Sequence, residues 1–410
     1  MRLRRVAATL LALSPASMAA QAPPPRLALV GATLIDGTGA PPVPDATVLV
    51  EGTRIVAVGP RRTVPLPPGT TQVDVRGRFI LPGFIDLHMH LTYPLRQDLD
   101  ARQTDSEATL RAVYHMEMFQ RLGITSVRDV GAPLAPIQAA AAALGDGLPG
   151  AIRVFGVGQL ITTTGGHGAG LRAAHVADGP DAFRRAVRVM HDHGFRHIKL
   201  SPTYTRAEVE AAVDEARTRG MRITSHGGGV SDTWPTSMTR LAVTAGVQSI
   251  EHLNQMDDDV LDLIADRGVA IVPTLAIYRH LYREGRIAPA MRTERGWHLG
   301  MHEDLFRKAR ARGIRLGVGS DAVGDMMRLY PDLYFEELRY FVELGMTPME
   351  AIVAATGNGG RILGPEHGVG TLEPGRLADL QVLAGDPLAD LRALGRPELV
   401  MIGGRLRRFP

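Results

Sequence analysis

The segment Asp86-Leu87-His88-Met89-His90 sets two imidazoles two residues apart. On a β-strand such positions point to the same side, so His88 and His90 together make a fork that can grip a metal ion. Four further segments carry groups of compatible chemistry: Lys199 in His197-Ile198-Lys199-Leu200, His226 ahead of Gly227-Gly228-Gly229, His252 in Ile250-Glu251-His252, and Asp321 in Gly319-Ser320-Asp321-Ala322. The chain has no cysteine, so a metal must rest on histidine, carboxylate or modified lysine. Two divalent ions about 3.5–4 Å apart require an anionic bridge. A lysine carbamate, formed from CO₂ and a neutral amine, would be such a bridge. Of the 46 lysines and arginines, only Lys199 and Lys308 are lysine. An amine can be neutral and nucleophilic, whereas a guanidinium stays charged, so a lysine that survives among arginines has chemistry to explain it. Lys308 lies in the polar run Phe306-Arg307-Lys308-Ala309-Arg310 and reads as a solvated charge. Zinc is the expected ion, although imidazole and carboxylate suit manganese, cobalt and iron as well.

These residues need elements that bring them to one place. From Gly83 onward, short apolar runs alternate with amphipathic ones. The expected strands are Phe84–His90, Ile124–Asp129, Ile152–Val157, His197–Ser201, Arg222–His226, Gln248–His252, Ala270–Thr274 and Arg315–Asp321. Helical patterns such as Glu107–Arg121, Pro180–His193, Arg206–Arg219 and Asp257–Arg267 separate them. Strand and helix alternating eight times predict an α/β fold, a (β/α)8 TIM-like barrel over residues 82–357. In that fold the six candidate residues stand at the C-terminal ends of strands, where such barrels carry their active sites. The flanks 26–81 and 358–410 read as short antiparallel strands with Gly and Pro turns. Each flank alone has too few strands to bury a core, so the two are expected to pair into one small β domain.

Three more rim groups are candidates for substrate contact. His167 follows the third strand in Thr162-Thr163-Thr164-Gly165-Gly166-His167-Gly168, where glycines let backbone approach a ligand. Arg128 ends the second strand and Tyr278 follows the seventh. His115, His191, His193, His280, His298 and His302 fall in helical stretches and are expected to be packed or solvated.

Arg2, Arg4 and Arg5 precede the apolar run Val6–Leu13 and the small residues Ala16, Ser17, Ala19 and Ala20, the pattern of a removable export signal over residues 1–20. Export to the periplasm or medium is the corresponding expectation. With a net charge of only +3 and no basic stripe, no nucleic-acid partner is expected, and no second long apolar run suggests a membrane partner. A small-molecule substrate is expected instead, and a homo-oligomer is compatible with the chain.

The segments Asp36-Gly37-Thr38-Gly39, Leu81-Pro82-Gly83-Phe84-Ile85-Asp86-Leu87-His88-Met89-His90, Ile250-Glu251-His252, Gly319-Ser320-Asp321-Ala322, Pro348-Met349-Glu350-Ala351-Ile352 and Gly375-Arg376-Leu377-Ala378-Asp379-Leu380 together resemble the amidohydrolase superfamily. The likeness covers nearly the whole chain after the leader. It is strongest to the imidazolonepropionase-like and Xaa-Pro dipeptidase-like branch, which includes carboxypeptidase-type enzymes and ochratoxin-degrading amidases. The resemblance implies a barrel with a β-sandwich built from both termini. It also implies His88, His90 and Asp321 on a more buried metal, His226 and His252 on a more exposed one, and carbamylated Lys199 bridging the two. By the same resemblance Asp321 moves the proton from the attacking water to the departing amine, and His167 contacts the substrate carbonyl or carboxylate. Cleavage of an amide in an N-acyl amino acid or short peptide with a free carboxylate is the expected activity. Opening of a cyclic amide, lactone or ester is the alternative, and a catalytically silent scaffold is the reading outside enzymology. The loop Ser201-Pro202-Thr203-Tyr204-Thr205 lacks a Gly-Gly insertion common among the relatives, and Asp232-Thr233-Trp234-Pro235 is unusual there. Both are expected to line the pocket.

Overall fold

The computed structural model describes residues 25–94, 97–228, 235–287, 289, 292, 296–322, 324–330 and 332–409. The expected export signal and the Asp232–Trp234 segment lie outside them.

Strands β1 (Arg26–Leu34), β2 (Val43–Glu51), β3 (Arg54–Pro60), β4 (Thr71–Asp74) and β5 (Phe79–Pro82) come from the N-terminal flank. They share one sheet with β15 (Leu380–Leu383), β16 (Pro397–Ile402) and β17 (Arg405–Arg408) from the other end. The two ends join where β5 pairs antiparallel with β15, from Leu380 opposite Pro82 to Leu383 opposite Phe79. Two pairings correct the expectation of uniformly antiparallel strands: β4 and β5 both run parallel to β1. After the β2–β3 hairpin the chain crosses to the far side of β1, and it reaches that free edge travelling in β1's own direction. One face of the sheet buries Leu29, Val48, Ile55, Ile80, Leu380 and Val382 in a core separate from the larger one.

Between the flanks the strands are parallel. Strands β6 (Phe84–Met89), β7 (Ile124–Asp129) and β8 (Arg153–Gly156) form one sheet. A second contains β9 (Leu160–Thr162), β10 (Ala174–Val176), β11 (His197–Leu200), β12 (Arg222–His226), β13 (Ser249–Glu251) and β14 (Ala270–Val272). Of these, β6, β7, β9 and β11 to β14 are buried on both faces, as parallel sheets covered by helices are.

The expected strand Arg315–Asp321 is not a ladder strand, which is a second correction. It makes one isolated bridge, Leu316 to Ile271. It nevertheless spans the two sheets, since Gly317 N donates to Ile271 O at 2.9 Å, Leu87 N to Val318 O at 2.9 Å and Asp321 N to His88 O at 2.8 Å. The glycines here reflect crowding: a Cβ on Gly317 would stand 2.3 Å from Leu87 Cδ1, and one on Gly319 2.7 Å from His88 Cβ. On the other side, β11 meets β9 only at Leu200 and Ile161, and no ladder joins β8 to β11 among the described residues.

The helices follow from their periodicity. In α3 (Pro180–Asp192), Phe183, Ala186, Val187 and Met190 recur at helical spacing and are the buried face. Capping boxes open α1 (Asp105–Arg121) at Thr104 and Glu107, and α4 (Arg206–Thr218) at Thr205 and Glu208. The remaining helices used below are α5 (Pro235–Ala245), α6 (Asp258–Asp266), α7 (Leu275–Arg283), α8 (Leu299–Ala311), α9 (Asp332–Glu343), α10 (Pro348–Ala355) and α11 (Gly357–Leu363), with α2 (Leu134–Ala142) between β7 and β8.

Candidate metal centre and active site

At the C-terminal ends of the parallel strands lies a cavity of about 350 Å³ lined by His88, His90, Lys199, His226, His252 and Asp321, together with His167 and Tyr278. Strand alternation delivers His88 and His90 to the same side, their rings 5.6 Å apart. His252 joins them, its ring 4.6 Å from that of His88 and 4.3 Å from that of His226. Asp321 Oδ1 lies 3.3 Å from His88 Nε2 and 3.7 Å from His90 Nε2. Donor atoms of His88, His252 and Asp321 all fall within 4.8 Å of one another, a group that could hold a metal ion.

The backbone is strained to achieve this. Four non-glycine residues among those described have positive φ, and three are at this rim: His252 (71°), Thr274 (53°) and Asp321 (49°). Left-handed conformations outside glycine are worth about 1–3 kcal/mol of strain each and persist where the surroundings hold them for a purpose.

Beneath the cavity, buried carboxylates orient these groups. Glu251, fully buried, accepts from His88 Nδ1 at 2.8 Å, from Arg128 Nη2 at 2.5 Å and from Thr224 Oγ1. Burial would raise its pKa, but the charges of Arg128 and Lys199 and the His88 bond outweigh that and hold it below the usual range. With Nδ1 committed to Glu251, His88 turns Nε2 towards the cavity, the arrangement that fixes a ligating histidine's orientation. His90 Nδ1 is likewise bonded to Gly131 O at 3.1 Å, and His252 Nδ1 to Thr274 Oγ1 at 2.6 Å. Asp86 accepts from Ser320 N at 3.1 Å, Ser320 Oγ at 2.7 Å and Tyr330 Oη at 2.9 Å, which fixes the turn that presents Asp321.

Lys199 is buried, and its Nζ has no hydrogen-bond partner among the described residues. Burial lowers its pKa to about 8, against the opposing charge of Glu251. A lone buried ammonium is costly, and a shifted lysine relieves that cost by giving up its proton. An orphaned amine among four imidazoles and a carboxylate fits a metal centre in which that amine becomes an anionic ligand.

His167 lies with its ring 4.8 Å from that of His226, and its loop is pinned because its carbonyl accepts from Ser201 Oγ at 2.9 Å. Tyr278 donates to Asn254 Oδ1 at 2.8 Å, and Asn254 Nδ2 donates to Gly227 O at 2.7 Å. Arg128 requires correction as a rim group. Its guanidinium is directed inward to Leu87 O, Ser249 Oγ and Glu251, and it does not line the cavity. Arg286 does line it, beside an apolar wall that includes Leu160, Ile277, Leu281 and Trp297. Glu251, Asp86, Asn254 and Arg286 were not singled out by sequence reasoning. For Glu251 the signal was present, because an acid between Ile250 and His252 on a buried strand must find an internal partner. The helical histidines divide as expected, His115 and His302 being buried and His193 and His298 exposed, and Lys308 pairs with Asp258 at the surface.

Comparisons with known proteins agree with this geometry. Ochratoxinase of Aspergillus niger is 26% identical over 92% of this chain and 85% of its own length. Imidazolonepropionase of Symbiobacterium thermophilum is 26% identical over 83% of this chain and 84% of its own. A crystal structure of a prolidase complexed with N-methylphosphonate-L-proline superposes with a TM-score of 0.82 at 28% identity, covering 94% of this chain and all of that one. The amidohydrolase family profile matches residues 79–407. The chain therefore belongs to the amidohydrolase family and is a hydrolase acting on carbon–nitrogen bonds.

Proposed function

We propose that the protein is a binuclear metal-dependent amidohydrolase that cleaves the amide of N-acyl amino acids or short peptides bearing a free carboxylate. The observation that carries this reading is the buried Lys199 amine, without a hydrogen-bond partner among the described residues, within the histidine and aspartate cluster. Its neutral form adds to CO₂, forming one N–C bond and releasing one proton to solvent, which leaves an anionic carbamate. In this reading His88, His90 and Asp321 would hold one ion, His226 and His252 would hold the other, and carbamylated Lys199 would serve both as an anionic ligand, with zinc as the expected metal. Two such cations would supply hydroxide near neutral pH and polarise the scissile carbonyl.

The chain's own groups account for the remainder. Asp321 takes the proton of the attacking water on its carboxylate and passes it to the departing amine, which leaves poorly as an anion. His167, in a pinned loop, donates to the substrate's carbonyl oxygen or carboxylate. Arg286, which lines the cavity where Arg128 does not, receives the substrate's carboxylate. Tyr278, tethered to Asn254, borders the apolar wall that receives the substrate's side chain and excludes water.

The same reading closes the two parallel sheets and the 315–321 segment into one (β/α)8 ring with a β-sandwich domain from residues 26–81 and 358–410. It also takes residues 1–20 as an export signal. The test is mass-spectrometric product detection after zinc-loaded protein, made with bicarbonate, meets a panel of acyl amino acids, dipeptides, cyclic amides and lactones. Free amino acids from intact protein, absent with Asp321→Asn or after chelation, are the expected result. Products only from ring opening favour the cyclic-substrate alternative, and turnover undiminished in Asp321→Asn contradicts the mechanism.

A further inference from the structure

At the opposite end of the parallel strands a second cavity, of about 310 Å³, is lined by Arg222, Arg267, Arg315 and Arg361. Arg222 opens β12, Arg267 follows α6, Arg315 precedes the bridge at Leu316, and Arg361 lies on α11. No carboxylate lines this cavity, and none stands within ion-pair distance of any of the four guanidiniums among the described residues. Arg188, Arg219, Arg307, Arg310 and Arg312, by comparison, are each paired to an acid.

What hydrogen bonds these arginines do make are weak or local. Arg222 Nε donates to Ile362 O at 3.2 Å, and Arg361 Nη1 approaches Asn358 Oδ1 at 3.4 Å. Burial lowers the Arg222 pKa; Glu366 opposes that shift, and the charges of Arg128 and Arg315 reinforce it. Mutual repulsion of this kind is tolerated where a counter-charge is to be received. The cavity is framed by rigid backbone: Gln248 N donates to Ile223 O at 2.9 Å and Ala270 N to Gln248 O at 3.1 Å. Val243, Val247, Val269 and Ile362 supply an apolar side, and the volume exceeds what a bare oxyanion fills.

We propose that this cavity binds a small multiply charged oxyanion, a phosphate group either free or carried on a compact organic ester, between Arg222, Arg267, Arg315 and Arg361. Guanidinium forks match phosphate oxygens two at a time, which neither lysine nor a diffuse positive field does as well. The site is remote from the metal centre and does not depend on the hydrolytic reading.

The experiment is calorimetric titration of the metal-loaded full chain with inorganic phosphate and, separately, with glycerol 2-phosphate, at ionic strength fixed with sodium chloride. Saturable binding of one anion per chain is expected, with affinity at least tenfold weaker in the Arg267→Gln/Arg315→Gln double variant. Both residues are exposed, so the unliganded variant should melt at the same temperature as the wild type or higher, since like charges have been removed. Tighter binding of the ester assigns the site to an organic phosphate, and equal or weaker binding assigns it to free phosphate. No saturable heat with either anion, or equal affinity in wild type and variant, would overturn the proposal.

Discussion

Glu251 joins Arg128 below the centre to His88 within it, so one side chain serves both stability and the site. Replacing it by Gln leaves Arg128 buried without a counter-charge. Breaking a buried pair in this way is worth about 3 kcal/mol or more. Glu251→Gln should therefore lower the urea unfolding midpoint by a matching amount and weaken metal retention by about 10-fold or more, as loss of a histidine's orienting partner does. Elemental analysis after dialysis reads the second effect, and an unchanged metal content would mean that Glu251 does not orient His88. The six candidate ligands were legible in sequence because each ends a recognisable strand pattern and its chemistry is unusual there. Arg128 was misplaced for the same reason that Glu251 was passed over. Alternation gives the parity of a side chain, not its depth, and both point into the interior below the rim.

Helix α7 carries Tyr278 on its first turn, and its N-terminus is capped from another helix. Glu337 of α9 accepts from Leu275 N at 2.9 Å and from Ala276 N at 2.6 Å, both buried. Glu337→Ala strands two backbone donors, a loss of about 2 kcal/mol. The expected outcome is a lower melting temperature together with a larger change in KM than in kcat, because Tyr278 moves while the ligand cluster stays. A variant that melts like wild type would show that the cap is dispensable. This cap was invisible in the sequence, where 62 residues separate Glu337 from Leu275. Local caps were easier to see, as with Thr104 and Glu107 at α1. The segment 315–321 was expected as a strand because its pattern is apolar and punctuated by glycine. Its glycines instead admit Leu87 and His88 so closely that only one bridge forms.

For the whole molecule, buried neutral histidines set the acid limit. His115 and His302 are held at about 4 by burial, below the ordinary imidazole value of 6.5, even though each bonds a backbone carbonyl, of Leu91 and Leu253 respectively. Below pH 6.5 the unfolded chain takes up protons that the folded chain refuses. Stability is therefore present above pH 6.5 and falls as pH drops towards 4, by about 1.4 kcal/mol per pH unit for each histidine. Urea unfolding at pH 7, 6 and 5 should show this decline, and His302→Gln should lessen its slope by about 1.4 kcal/mol per pH unit; a flat profile would contradict it. The union of both chain ends in one sheet was legible because neither flank could bury a core alone. The parallel course of β4 and β5 was not, since strand direction depends on which edge of β1 the returning chain reaches. The most direct test of the central claim is the number of divalent ions per chain in protein made with bicarbonate, wild type beside Lys199→Ala. Two ions per chain in the wild type, and one or none in the variant together with lost turnover, is the result expected. Two ions retained without the Lys199 amine, or a fully active wild type holding a single ion, would contradict a lysine-bridged pair.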